Sequence, residues 1–145
     1  MSKRARRDKV EVYLHLLWTT WDRMALVDSS WENELYALLC SRAQNKKCVP
    51  IVCNGMPDHV HLLLALHSTT PICDLLKSLK GTSAELGMDR CDFFKWRPTY
   101  AAFSVSRWDV PMIKNYILNQ KFHHLGHTTE DRLEFCDEEY WFDDS

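Results

Sequence analysis

An α+β fold, built on a four-stranded antiparallel sheet with two helices on one face, is the architecture that the 145-residue sequence predicts. Three observations carry that expectation: a two-residue apolar period near the start of the chain, helical apolar stripes over 31–45 and 70–81, and two short strand-like runs between them. The order is strand, helix, strand, strand, helix, strand, and then a further helix. Right-handed crossovers bring that order into the split βαβ, ferredoxin-like arrangement, with the last helix as an addition at the C-terminal side. The length and the 46% hydrophobic content suit one domain over 1–145.

The first strand is read from VEVYLHLLWTT at 10–20, where Val10, Val12, Leu14 and Leu16 alternate. Ser29 followed by Glu32 has the spacing of a capping box and opens a helix to about Asn45, with Trp31, Leu35, Leu38 and Leu39 on one face. CVPIVCNGM predicts a second strand closed by a turn at Asn54-Gly55, and HVHLLLALH a third, the two forming a hairpin. Thr70-Pro71 opens a helix whose stripe is Ile72, Leu75, Leu76 and Leu79, up to or through Gly81. AAFSVS at 101–106 is the fourth strand, and a third helix runs from Asp109 through His123 with Val110, Ile113 and Ile117 inward.

Charge and cysteines set bounds on partners. The net charge of -2 hides a basic body and an acidic tail: before Glu130 there are 12 acids against 17 bases, a net of +5. Such a body attracts a polyanion weakly, and the tail could dock over a basic site and restrain it. No apolar run is long enough to span a bilayer and SKRARRDK has no signal-peptide core, so a cytoplasmic location without a membrane partner is expected. The six cysteines make no C-x-x-C pair and are read as reduced thiols.

The chemistry is concentrated in MPDHVHLLL at 56–64. On a strand, His59 and His61 share one face and Val60, Leu62 and Leu64 the other. Two imidazoles about 6.5 Å apart along a strand can converge on one metal ion, and Asp58 beside them can add a ligand or orient one. In KNYILNQKFHH, Tyr116 and Gln120 are four apart and His124 one turn further, off the apolar stripe of Ile113 and Ile117. A tyrosine hydroxyl ionises near pH 10 and needs help to act as a nucleophile, which a metal ion polarising a phosphodiester provides.

This combination resembles the small single-tyrosine transposases of the HUH superfamily, which move insertion sequences as single-stranded DNA, and in particular their REP-associated subgroup. The motifs that carry the resemblance are PDHVHLL at 57–63, LKGTS at 79–83, AFSVS at 102–106 and YILNQKFHH at 116–124, collinear over about 10–125. The resemblance implies that His59, His61 and Gln120 hold Mg2+ or Mn2+ and that Tyr116 is the catalytic nucleophile. Asp58 and His124 are further candidate ligands or supports of the ligands. The implied reaction is nicking and strand transfer through a 5′-phosphotyrosine link on DNA with hairpin repeats, by a monomer or a homodimer.

Basic and aromatic residues are the candidates for DNA contact: Arg4, Arg6, Arg7, Lys9, Lys77 and Lys80 for phosphates, and Trp18, Trp21, Trp96 and Tyr100 for bases. Where relatives often carry a glycine before the tyrosine ahead of the fourth strand, this chain has Pro98-Thr99-Tyr100. Two other function classes fit parts of the pattern. A non-catalytic single-stranded nucleic-acid-binding module of RNA-recognition type shares the topology, although histidines stand where its stacking aromatics would be. A zinc hydrolase using His59, His61 and His124 would bind zinc and form no covalent DNA product.

Overall fold

The computed structural model describes residues 8–126 and 128–134. Its elements are β1 (Tyr13–Thr19), α1 (Glu32–Asn45), β2 (Val49–Met56), β3 (His59–Ala65), α2 (Ile72–Arg90), β4 (Ala101–Val105), α3 (Val110–Leu118), α4 (Gln120–Gly126) and α5 (Asp131–Glu134). The four strands form one antiparallel sheet in the order β2-β3-β1-β4, which is the split βαβ topology expected. No helix among the described residues is long and apolar enough to cross a membrane.

The strand periods divide the side chains between two layers. Leu14, Leu16, Trp18, Val60, Leu62 and Leu64 point to one face and pack with Leu35, Leu39, Leu75, Leu76 and Leu79 of α1 and α2. Each fully buried leucine contributes about 1.5–3 kcal/mol by leaving water. Trp18 and Trp96 meet edge to face at 5.8 Å in this layer, and the Trp96 indole N–H donates to Ser83 Oγ at 2.8 Å. On the other face Leu63 and Val52 pack with Ile113, Tyr116, Ile117 and Leu133. The C-terminal helices cover that second face, because their apolar residues need a surface to leave water against.

Several boundaries differ from the sequence expectation for local reasons. The turn of the β2–β3 hairpin is Pro57-Asp58, because Asn54 and Gly55 stay in the ladder opposite His61 and Val60. Asn54 is held there by its side chain, whose amide donates to the carbonyls of Ile117 at 3.0 Å and Leu118 at 3.2 Å. Helix α1 has Trp31 rather than Ser29 as its N-cap: Asp28 turns the chain first, its carbonyl accepting from the N–H of Trp31 and Glu32 and its carboxylate from Ser30 N at 2.9 Å. Helix α2 continues beyond Gly81 to Arg90, since Ser83 and Gly87 extend its buried stripe. The five described cysteines, Cys40, Cys48, Cys53, Cys73 and Cys91, are free thiols, and Cys136 lies outside the described residues.

Gly55 fixes the approach of β2 to β3 where the histidine pair begins. A Cβ at this position would stand 2.3 Å from the His59 carbonyl oxygen and 2.9 Å from Val60 Cα, both backbone atoms that cannot swing aside. Gly55→Ala is therefore expected to lower stability by about 1–3 kcal/mol or more, as forced overpacking does. The check is a urea melt, in which the midpoint falls with little change in slope.

Candidate active site

The third helix predicted over 109–123 is two helices with a break at Asn119, whose φ of -99° and ψ of 23° leave the helical path. The terminal carbonyls of a helix lack intrahelical donors, and here the Asn54 amide supplies two of them from β2. Lys121 secures the next turn, its ammonium donating to Asn54 Oδ1 at 3.1 Å and to the Gly55 carbonyl at 3.0 Å. This break aims Gln120 at the histidine face of β3 while Tyr116 stays on α3. Both side chains, with His59 and His61, are buried.

Each histidine is oriented by a specific partner. His59 Nδ1 lies 2.6 Å from Asp58 Oδ1, and Asp58 Oδ2 accepts from Arg23 Nε at 3.1 Å. That leaves His59 Nε2 facing Gln120 Oε1 at 3.1 Å and Glu134 Oε1 at 3.3 Å. His61 Nδ1 meets His15 Nε2 at 2.8 Å, with the two rings stacked at 5.1 Å, and His61 Nε2 faces Glu134 Oε1 at 3.2 Å. His124 Nε2 lies 3.1 Å from Gln120 Oε1 and 3.3 Å from Glu134 Oε1. Three imidazole nitrogens and two oxygens thus converge.

Glu134 joins this cluster to the tyrosine. Its Oε2 accepts from the Tyr116 hydroxyl and from Gln120 Nε2 at 2.7 Å, while the Glu130 backbone N–H donates to the Tyr116 oxygen at 3.1 Å. The Tyr116 ring stacks on His123 with centroids 4.5 Å apart. Nucleophile candidate and ligand candidates are therefore one hydrogen-bonded unit within one chain.

Burial and charge then set the protonation states. Burial works against the charged form of His59, but hydrogen bonds to Asp58 and Glu134 outweigh it and raise its pKa to about 9. Asp58, despite partial burial, is drawn down to about 2 by His59 and Arg23. Burial lowers His61, and burial together with the His61 charge lowers His15 to about 3. Burial is outweighed at Glu134 by His59 and His61, which hold it well below the usual carboxylate range. Burial and the Glu134 carboxylate push Tyr116 well above the ordinary phenol value, so its hydroxyl is protonated at neutral pH.

These residues fit a divalent ion. When His59 donates its Nδ1–H to Asp58, its Nε2 carries a lone pair aimed at two oxygen acceptors, an arrangement stable only with a proton or a cation between them. One ligand atom each from His59, His61 and Glu134 lies within 4.8 Å of the others, and Gln120 Oε1 adds an amide oxygen. Imidazole, amide and carboxylate donors suit manganese at least as well as magnesium. His15 would fix the His61 tautomer that offers Nε2 to the ion.

The structure brings together Tyr116, His59, His61, Gln120, Asp58 and His124, all singled out from the sequence, and adds His15 and Glu134. His15 had a signal, since it shares strand parity with Tyr13 and Leu17 on the histidine side of the sheet. Glu134 had none beyond its place in an acidic tail. The candidate DNA contacts disperse. Trp18 and Trp96 are buried in the helical layer and offer a base no surface, whereas Trp21 and Tyr100 are exposed. Lys77 and Lys80 lie on α2, across the sheet, with the Lys80 ammonium donating to the carbonyls of Arg97 at 2.6 Å and Thr99 at 3.0 Å. Lys9 pairs with Glu11 at 3.6 Å, and Arg4, Arg6 and Arg7 lie outside the described residues.

Comparison with known proteins points one way. The model of the family described as "Transposase IS200 like" matches residues 8–120. The ISDra2 transposase TnpA of Deinococcus radiodurans is 29% identical over 126 residues, which is 81% of this chain and 90% of that protein. A crystal structure described as that of a transposase from Deinococcus radiodurans R1 superposes with a TM-score of 0.65 at 28% identity, covering 82% of this chain and 98% of that one. The structure of a REP-associated tyrosine transposase bound to a REP hairpin shares the fold, with a TM-score of 0.62 at 11% identity over 89% of this chain and 76% of that one.

Proposed function

Since the chain belongs to the IS200-like transposase family, we propose that it nicks and rejoins single-stranded DNA by transesterification on Tyr116, supported by a divalent metal ion. The observation that carries this reading is the shared carboxylate: Tyr116 Oη, the Nε2 atoms of His59 and His61, and the Gln120 amide nitrogen all converge on Glu134, while Gln120 Oε1 faces His59 Nε2. His59, His61 and Gln120 would hold the ion, with Glu134 and His124 as further donors. When bound, Mg2+ or Mn2+ would polarise the scissile phosphate and stabilise the leaving oxygen.

The residues of the chain do the rest. Tyr116 Oη gives up its proton to solvent and attacks phosphorus, the phosphorus–O3′ bond breaks, and O3′ takes up a proton from solvent, leaving the DNA with a free 3′-OH while its 5′ phosphate is esterified to the tyrosine. The phosphotyrosine keeps the energy of the bond, so the 3′-OH of another strand can reseal it without ATP. The Glu130 N–H, already on the Tyr116 oxygen, steadies the phenolate as the hydroxyl proton leaves. His123, stacked on the ring, fixes its orientation. The solved relative bound to a REP hairpin supports a hairpin-bearing single strand as substrate for this chain. That all these groups meet within one chain supports a site completed by a single copy.

Glu134 has a double expected effect. Its Oε2 stands beside Tyr116 where the scissile phosphate must come, while its Oε1 faces the histidines. Glu134→Ala is expected to weaken manganese binding about tenfold, as loss of an ion-supporting partner does, yet to speed cleavage at saturating manganese. Metal titration and single-turnover rates read the two effects separately.

The test of the function is incubation with manganese and a labelled single-stranded oligonucleotide carrying the repeat hairpin nearest the gene, followed by a denaturing gel. A labelled protein–DNA band supports the phosphotyrosine reading. Hairpin binding without adduct or cleavage would favour a binding module, and zinc retained through purification with cleavage but no adduct a hydrolase. The RNA-recognition reading is not favoured by the geometry, because the face such modules keep open is here packed with histidines and helices.

A further inference from the structure

The segment leaving β1 builds a cavity that the proposed chemistry leaves unused. Trp21–Arg23 form one 3-10 turn, and within it Asp22 and Arg23 have φ of 56° and 55°, consecutive left-handed residues that L side chains rarely adopt. The turn is braced on both sides. Thr20 N–H donates to the Asp58 carbonyl at 2.9 Å and Trp21 N–H to the Lys95 carbonyl at 2.9 Å. Strain held in place by its surroundings is characteristic of functional segments. Here it arranges Trp21, Asp22, Arg23 and Arg97 around a cavity of about 310 Å³, within the range of small-ligand pockets.

The cavity adjoins the candidate ion ligands. Arg23 Nε holds Asp58 at 3.1 Å, and the other oxygen of Asp58 holds His59 at 2.6 Å. Thr19, two residues before Trp21, is the register partner of His59. A group bound in the cavity would therefore be a near neighbour of the scissile phosphate.

Its chemistry is that of an unpaired base rather than of a phosphate. Trp21 is 41% exposed, and Lys95 Nζ lies 4.0 Å from its ring centroid, so the indole is both accessible and held. Arg23, Arg97 and Lys95 bring positive charge to the rim. Asp22 is the exception: among the described residues it lines the cavity without an ion pair. A carboxylate repels a phosphate but accepts from base donors, and guanine alone offers two adjacent ones, N1–H and the N2 amino group, when unpaired.

We propose that this cavity takes one unpaired nucleotide flanking the cleaved phosphate, stacking its base on Trp21 and selecting guanine through Asp22. The proposal rests on the nuclease reading for its substrate, and its test separates the two. The full-length Tyr116→Phe protein is titrated by fluorescence anisotropy with a short oligo(dT) and with copies carrying one dG, dA or dC at each position in turn. At one position dG is expected to bind on the order of tenfold more tightly. Asp22→Asn should abolish that preference, and Trp21→Ala should weaken binding of every base at that position on the order of tenfold. Asparagine tolerates the left-handed conformation, so Asp22→Asn keeps the turn, which circular dichroism verifies.

A dG preference that survives Asp22→Asn, or no position with a base preference, overturns the pocket. Cleavage of the same oligonucleotides by the wild type is scored independently. A preference erased by Asp22→Asn without any cleavage keeps the pocket and removes the nuclease, and cleavage indifferent to both substitutions does the opposite.

Discussion

Tyr116→Phe is expected to abolish the covalent protein–DNA band and to reduce cleavage by on the order of a thousandfold or more, as removal of a nucleophile does, while hairpin affinity changes by only a few-fold. The variant is a clean test because the ring does its packing without the hydroxyl. It keeps Leu63, Ile113 and Ile117 on one side and the His123 stack on the other. The loss is that of two hydrogen bonds: Glu134 retains Gln120 Nε2 as a donor, and the Glu130 N–H loses the Tyr116 oxygen. That should cost about 1 kcal/mol of stability. A variant that folds, binds and still cuts would make water the nucleophile. In the wild type the hydroxyl ionises well above the ordinary phenol value, so the phenolate fraction, and with it the single-turnover rate, should climb as pH rises through the alkaline range.

What the sequence could reveal about this site follows from how local each signal is. His59 and His61 were legible because a strand's two-residue period is a property of neighbouring residues, and the apolar side of β3 had only one face of the sheet to pack against. The helical stripes of α1 and α2 were legible for the same reason. The break at Asn119 was not, since nothing within KNYILNQKFHH calls for it; its cause is Asn54, more than sixty residues earlier, which captures the carbonyls of Ile117 and Leu118. The same long-range contact explains why Asn54-Gly55, a strong hairpin-turn pair by composition, lies inside a ladder instead. Glu134 illustrates the limit further. A single acid in an acidic tail has no pattern to distinguish it, and only the folding of α5 against Val52 and Leu63 carries it to the histidines.

Replacing His59 with alanine is expected to remove activity through the ion rather than through the fold. His59 is the point where Asp58, Gln120 and Glu134 meet, so its loss takes a proposed ion ligand and the link to Asp58 together. Manganese affinity measured by calorimetry should fall by at least about a hundredfold, with cleavage lost in parallel. The stability cost carries its own signature. In the metal-free protein the folded pKa of about 9 lies above the ordinary 6.5, so the charged imidazole stabilises the fold fully below pH 6.5 and progressively less as pH rises through 9. The destabilisation by His59→Ala should accordingly be larger at pH 6 than at pH 9.5. Equal destabilisation at both would mean that the Asp58–His59–Glu134 pairing is not made. Mixing His59→Ala with Tyr116→Phe then tests the single-chain site: each variant lacks a group that must act beside the other's, so the mixture stays inactive when His59 and Tyr116 work within one chain. Restored cleavage would show that the tyrosine of one copy serves the histidines of another.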